Sequence, residues 1–108
     1  MTEALDIYEQ YRGLIVSGRL GSGERLASVR QVASDLGVAI GTAAKAYRML
    51  EADGLVTTRA GAGTRVSATA AVLPASVVAR IRDLVAIAKQ DSATEDEVVA
   101  ALRQVWKN

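Results

Sequence analysis

The chain has no cysteine and no histidine. That excludes disulfide scaffolds, thiol redox chemistry, thiolate or imidazole zinc sites and histidine-based acid–base catalysis. Aromatic residues are scarce: Tyr8, Tyr11, Tyr47 and Trp106 are all of them, and phenylalanine is missing. Proline occurs once, at Pro74. No apolar run approaches the roughly 20 residues of a membrane span. The N-terminus lacks the basic-then-apolar plan of a secretory signal. A cytoplasmic location without membrane contact is therefore expected. Net charge is also nearly absent, with 13 Lys/Arg against 12 Asp/Glu. Residues 1–66 hold eight basic and seven acidic side chains, and residues 67–108 hold five of each. Bulk charge announces no polyanionic partner, so any such claim rests on where individual basic residues point. No nucleophile–base pair is visible, and the glycine-rich turn lacks a following Lys-Ser/Thr. No catalytic residue, cofactor or metal site is expected. Glu95-Asp96-Glu97 reads as first-turn charge that complements a helix dipole.

What is present is enough for a packed core: half of the 108 residues are apolar and 23% are charged. This size fits one small domain, or a domain with an appendage. Leu5, Tyr8, Tyr11, the stem of Arg12, Ile15 and Val16 recur at helical spacing, and Ser17-Gly18 ends that helix. Arg19–Leu26 is a glycine-punctuated connector. Ser28 with Gln31 has the spacing of a capping box. Val29, Val32, Ala33 and Leu36 then make a short amphipathic helix, terminated by Gly37. A second helix runs from about Ile40 to Ala52, with Ala43, Ala46, Tyr47 and Leu50 inward. Two helices joined by a tight turn are a helix-turn-helix pattern. Leu55–Arg59 and Thr64–Val66 are β-prone around Ala60-Gly61-Ala62-Gly63, which predicts a hairpin. Three helices plus a hairpin make a winged helix-turn-helix. After a small-residue linker, Pro74 precedes a helix with a wide apolar face through about residue 90. Thr94 with Glu97 caps a last helix carrying Val98, Val99, Leu102, Val105 and Trp106. The expected class is mainly α, with a small β component. Residues 1–68 form the winged helix and residues 69–108 an antiparallel two-helix hairpin.

Several motifs stand in order, without gaps, between Glu9 and Val66. They are Ser17-Gly18-Arg19-Leu20 and Gly23-Glu24-Arg25-Leu26-Ala27-Ser28-Val29-Arg30-Gln31-Val32-Ala33. Leu36-Gly37-Val38, Thr42 and Lys45-Ala46-Tyr47-Arg48 follow, then Leu50-Glu51-Ala52-Asp53-Gly54-Leu55-Val56 and Gly61-Ala62-Gly63-Thr64. This stretch resembles the DNA-binding domain of the GntR family of bacterial transcription regulators. Only some forty residues follow it. With Ala44-Lys45-Ala46-Tyr47-Arg48, the short tail is similar to the YtrA-like subfamily, in which two C-terminal helices dimerise the protein.

The resemblance implies a homodimeric regulator of double-stranded DNA that binds a palindromic operator, with repression as the family habit. The helix starting near Ile40 would lie in the major groove. Ser28, Arg30, Ala39, Ile40, Gly41, Thr42, Lys45 and Arg48 are the expected contacts on the two helices, and Gly61, Gly63 and Thr64 those on the wing. Some of these side chains have ordinary alternatives. Arg30 has Asp35 or Glu24 as surface partners, and Arg48 has Glu51 or Glu24. Lys45 has only Glu51, a turn and a half on. Arg59 and Arg65 flank the wing and are expected to face each other across it, an arrangement that favours a polyanion. Ala39, Ile40 and Ala44 depart from a family pattern that often has polar or basic residues there, and Ala62 replaces an often basic wing residue. Direct base readout is thin as a result: Ala39 and Ile40 suit thymine methyls, and DNA shape must supply the rest. Ala39 is also a weak N-cap.

Val77, Val78, Ile81, Leu84, Val85 and Ala88, with Leu102, Val105 and Trp106, exceed what one hairpin covers. They are the expected dimer interface. The competing reading is a dimeric protein-interaction module whose degenerate winged helix no longer reads DNA. So short a tail gives no deep ligand pocket within one subunit. A small effector at the dimer cleft and control by abundance both stay open.

Overall fold

A computed structural model describes residues 2–108. In chain order the elements are α1 (Ala4–Val16), α2 (Val29–Leu36), α3 (Ile40–Ala52), β1 (Val56–Arg59), β2 (Gly63–Val66), α4 (Ala75–Gln90) and α5 (Glu95–Trp106). They fall into two compact units, one ending at Leu73 and one running from Pro74 to Asn108. The first is a winged helix-turn-helix, and the second consists of the two helices α4 and α5 joined by the short connection 91–94.

The first unit is built around α3, which packs against α1, α2 and β1. Ala43, Ala46 and Leu50 of α3 are fully buried. Alanine at two of these positions lets neighbouring helices come close, and Leu50 fills the centre. Truncating Leu50 to alanine is expected to cost about 2–5 kcal/mol. Ile7 and Ile15 of α1, Val32 and Ala33 of α2, and Leu26, Leu55, Val56 and Val66 complete the core. The buried line on α1 is Ile7, Tyr8 and Ile15. Leu5 and Arg12 are exposed, contrary to the stripe read from periodicity. The true stripe lies between two apolar rows, and only the position of α3 selects one.

Local chemistry fixes the helix ends. Ser28 Oγ accepts the Gln31 N–H at 3.1 Å and starts α2. Only this half of the expected capping box forms, because the Gln31 amide instead donates to Asp35 Oδ1 at 2.7 Å. Gly37 ends α2 in the left-handed region, with φ 65° and its N–H on the α2 carbonyls, the geometry that favours glycine.

β1 and β2 pair antiparallel, Val56 with Val66, Thr57 with Arg65, Thr58 with Thr64 and Arg59 with Gly63. The connector before α2 runs along the other edge of β2. Gly23 donates to the Val66 carbonyl at 3.0 Å, Val66 to Glu24 at 2.8 Å and Leu26 to Thr64 at 2.8 Å. The wing is thus a ribbon of three segments.

In the second unit, α4 and α5 bury no residue. Val78, Ala88, Val98 and Val99 are half-buried, and the other large apolar side chains are exposed. Thr94 and Glu97 form a full capping box at the start of α5. Thr94 Oγ1 accepts the Glu97 N–H at 3.2 Å, and Glu97 Oε1 accepts the Thr94 N–H at 2.9 Å.

Candidate nucleic-acid interface

Three residues of the connector join the parts that the sequence singles out. Leu26 bonds to Thr64 of the wing. Ala27 accepts a hydrogen bond at its carbonyl from the Tyr47 hydroxyl of α3. Ser28 caps α2. Wing, α3 and α2 are therefore indexed to one short stretch of backbone. Tyr47 is buried and meets Tyr11 of α1 edge-on, with ring centroids 5.7 Å apart. Burial above all, and then the nearby Tyr11 hydroxyl, push the Tyr47 phenol upward from its ordinary 10.0. On the opposite end of α3, the Tyr8 hydroxyl donates to Asp53, which closes that helix. This bond, reinforced by burial, raises the Tyr8 phenol in turn.

The start of α3 is open. Ala39 is its N-cap and makes no side-chain cap bond. The Ala39 carbonyl takes the N–H groups of Thr42 and Ala43, so those of Ile40 and Gly41 face outward from the helix end. Such an end suits a phosphate oxygen. Ile40 is 52% exposed. Gly41, Thr42 and Lys45 line one recess with Thr2, Glu3, Ala4, Leu5 and Met49. The start of α1 thus borders the outer face of α3, a neighbourhood that no local sequence signal announces.

Two of the carboxylates that could pair with the basic side chains, Asp35 and Glu24, are engaged elsewhere. Asp35 holds Gln31, and Glu24 Oε1 accepts the Gly21 N–H at 3.2 Å. Among the described residues the one ion pair is Arg80 to Asp83 on α4, at 3.4 Å. It is well exposed and adds little stability. Arg30, Lys45 and Arg48 are exposed with no carboxylate within ion-pairing reach. Their positive charge is left to solvent or to a partner.

The wing tip turns on Gly61 and Gly63, at φ 81° and 75°, with the Ala62 N–H on the Arg59 carbonyl at 3.0 Å. Any other residue at those two positions would be strained. Arg59 and Arg65 do not sit opposite each other as expected. The register pairs Arg59 with Gly63 and Arg65 with Thr57. They are two steps apart along the ladder, on the same outward side, because side chains alternate along a strand. Arg25 of the connector bridges directly to Arg65. Its closeness was not legible in the sequence, where the connector carried only a glycine-loop signal.

A family model described as bacterial regulatory proteins, gntR family, matches residues 3–66. The chain is 33% identical over 103 residues to the HTH-type transcriptional regulator Rv1152 of Mycobacterium tuberculosis (strain ATCC 25618 / H37Rv), spanning 92% of this chain and 84% of that protein. It is 36% identical over 64 residues to the HTH-type transcriptional repressor YtrA of Bacillus subtilis (strain 168). That match spans 59% of this chain and about half, 49%, of the relative. Among solved structures, YtrA from Sulfolobus acidocaldarius, a GntR-family transcription factor, superposes with a TM-score of 0.58 at 29% identity. The superposition covers 96% of this chain and 87% of that one.

Proposed function

The chain belongs to the gntR family of bacterial regulatory proteins, and from that premise we propose that it is a homodimeric repressor acting on a palindromic operator in the cytoplasm. It is a DNA-binding transcriptional regulator of the winged-helix kind. In this reading α3 lies in the major groove. Ala39, Ile40, Gly41 and Thr42 approach the DNA at its first turn, and Lys45 and Arg48 one and two turns along. Ser28 keeps a hydroxyl proton to donate to phosphate while it caps α2. Arg30 of the same helix supplies a guanidinium, and Gly61, Gly63 and Thr64 bring the wing to the minor groove. The observation that carries this reading is the uncapped start of α3, with Lys45 lining the same recess as Gly41 and Thr42, and with Arg30, Lys45 and Arg48 exposed and free of ion pairs among the described residues. The protein-docking alternative is not favoured, since the named relatives are transcription regulators, which are not enzymes either.

The second unit supports the dimer reading. Val77, Ile81, Leu84 and Val85 are each about 40% exposed, Leu102 49%, Val105 66% and Trp106 83%. Apolar side chains so concentrated mark an interaction face. A second copy would cover them, with half-buried Val78 and Ala88 alongside, and would supply the two-fold axis a palindrome needs. YtrA of Bacillus subtilis is named a repressor, and repression by blocking a promoter is the direction proposed here. Arg30→Ala and Lys45→Ala test the reading. Each is expected to weaken operator binding while folding and mass stay unchanged; wild-type affinity in either variant removes that residue from the interface.

A further inference from the structure

The outward side of the wing carries a feature that α3 and the wing tip do not use. Strand alternation places Thr57 and Arg59 of β1, and Gly63 and Arg65 of β2, on one side, away from buried Val56 and Val66. The bridge from Arg25 to Arg65 adds a third arginine from the connector. Arg25 then runs across β2. A Cβ on Gly63 would stand 2.8 Å from Arg25 Nε and 3.2 Å from its Cζ, so the guanidinium lies where a side chain would otherwise be. Gly63 pairs with Arg59, which brings the Arg25 head to the Arg59 end of the ribbon. Arg65 is fixed from below, its Nη1 donating to the Gly23 carbonyl at 3.0 Å. Gly23, Thr57, Arg59, Gly63 and Arg65 line a recess of about 300 Å³.

We propose that this outward face, built from Arg25, Arg59 and Arg65, is a second phosphate-binding surface that holds the DNA backbone beyond the segment read by α3. The proposal rests on the chain being a DNA-binding regulator. All three arginines are exposed, and no carboxylate pairs with any of them among the described residues. Glu24, the acidic neighbour of Arg25 in the sequence, accepts the Gly21 N–H. Like charges gathered on neighbouring strands repel one another unless an anion joins them. A glycine that clears the path of one guanidinium and a carbonyl that anchors another hold the group in place before any ligand arrives. Geometry selects the DNA backbone as that ligand. The minor groove is only about 6 Å wide. A wing tip entering it has a phosphate row on each side, where arginines on the flank of the ribbon can meet one of them. Planar guanidinium groups match phosphate oxygens in pairs.

The test compares the full chain with a triple variant, Arg25→Gln, Arg59→Gln and Arg65→Gln, across a salt series. Two duplexes are used. One carries the tightest sequence from a random pool and extends a full helical turn beyond it on both sides; the other has that sequence scrambled. The triple variant is expected to weaken on both duplexes by the same factor and to keep the wild-type ratio between them. Its slope of log affinity on log salt should flatten by about 0.9 for each phosphate that the variant no longer neutralises. Equal affinity and slope in variant and wild type overturn the proposal while leaving α3 as the reader. A loss confined to the specific duplex also overturns it, since backbone contacts carry no sequence. A wild-type ratio of one instead ends the sequence-specific reading, and the slopes still decide the wing. Arg59→Gln alone, at a side chain with no hydrogen-bond partner among the described residues, gives the same slope readout should the triple variant misfold.

Discussion

The hydroxyl of Tyr47 sits where α3, α1 and the start of α2 meet, and it ties α3 to the Ala27 carbonyl just before the α2 cap. Tyr47→Phe keeps the ring and its edge contact with Tyr11 but loses the bond to the Ala27 carbonyl. A cost of about 0.5–1.5 kcal/mol is expected in urea unfolding. Both Tyr47 and Tyr8 ionise above the ordinary 10.0, through burial in one case and the bond to Asp53 in the other. Their folded values exceed the unfolded one. Their contribution is therefore whole below pH 10 and declines as pH climbs beyond it. Alkaline titration of stability should show this decline, and Tyr8→Phe with Tyr47→Phe should flatten it. Tyr47 was legible as a core residue from its place on the inward stripe of α3. Its partner was not, because a carbonyl twenty positions away leaves no trace in composition or period. Lys45, Arg30 and Arg48 were legible as exposed cations. That Asp35 and Glu24 turn to other donors required the backbone.

At the scale of elements, the helix ends differ in how well they are closed. Thr94 and Glu97 close α5 completely. Thr94→Ala is expected to cost about 1 kcal/mol, read as lost helicity and lower Tm. The Glu97 carboxylate lies below its ordinary 4.5 because it accepts the Thr94 N–H and then the Thr94 hydroxyl. The cap's contribution is thus present above pH 4.5 and disappears as acid takes the pH down through the lowered value. In Glu97→Gln that acid dependence should vanish. The start of α3 is the opposite case. Ala39→Ser should stabilise the fold by about 1 kcal/mol by accepting the Gly41 or Thr42 N–H; unchanged Tm would mean the turn cannot bring the hydroxyl to those groups. These ends were readable because caps and glycines act within four residues. The third segment of the wing was not. Residues 23–26 have no strand pattern, and they pair with β2 only because α2 must start beside it.

For the whole molecule, the winged helix and the two-helix unit divide the work. The first carries Arg30, Lys45 and Arg48 without ion pairs among the described residues, and the second an apolar face that one chain leaves exposed. Leu84→Asp or Leu102→Asp should turn a dimer into a monomer by mass measurement and weaken operator binding with it. A dimer that survives both places the interface elsewhere. Selection of bound sequences from a random duplex pool, with the wild-type chain at moderate salt, tests the central claim most directly. The expected result is one enriched palindrome, whose half-site spacing gives the distance between the two α3 helices. A pool that stays random, with the protein folded and dimeric, would contradict it and leave Ala39, Ile40 and Ala44 as the reason.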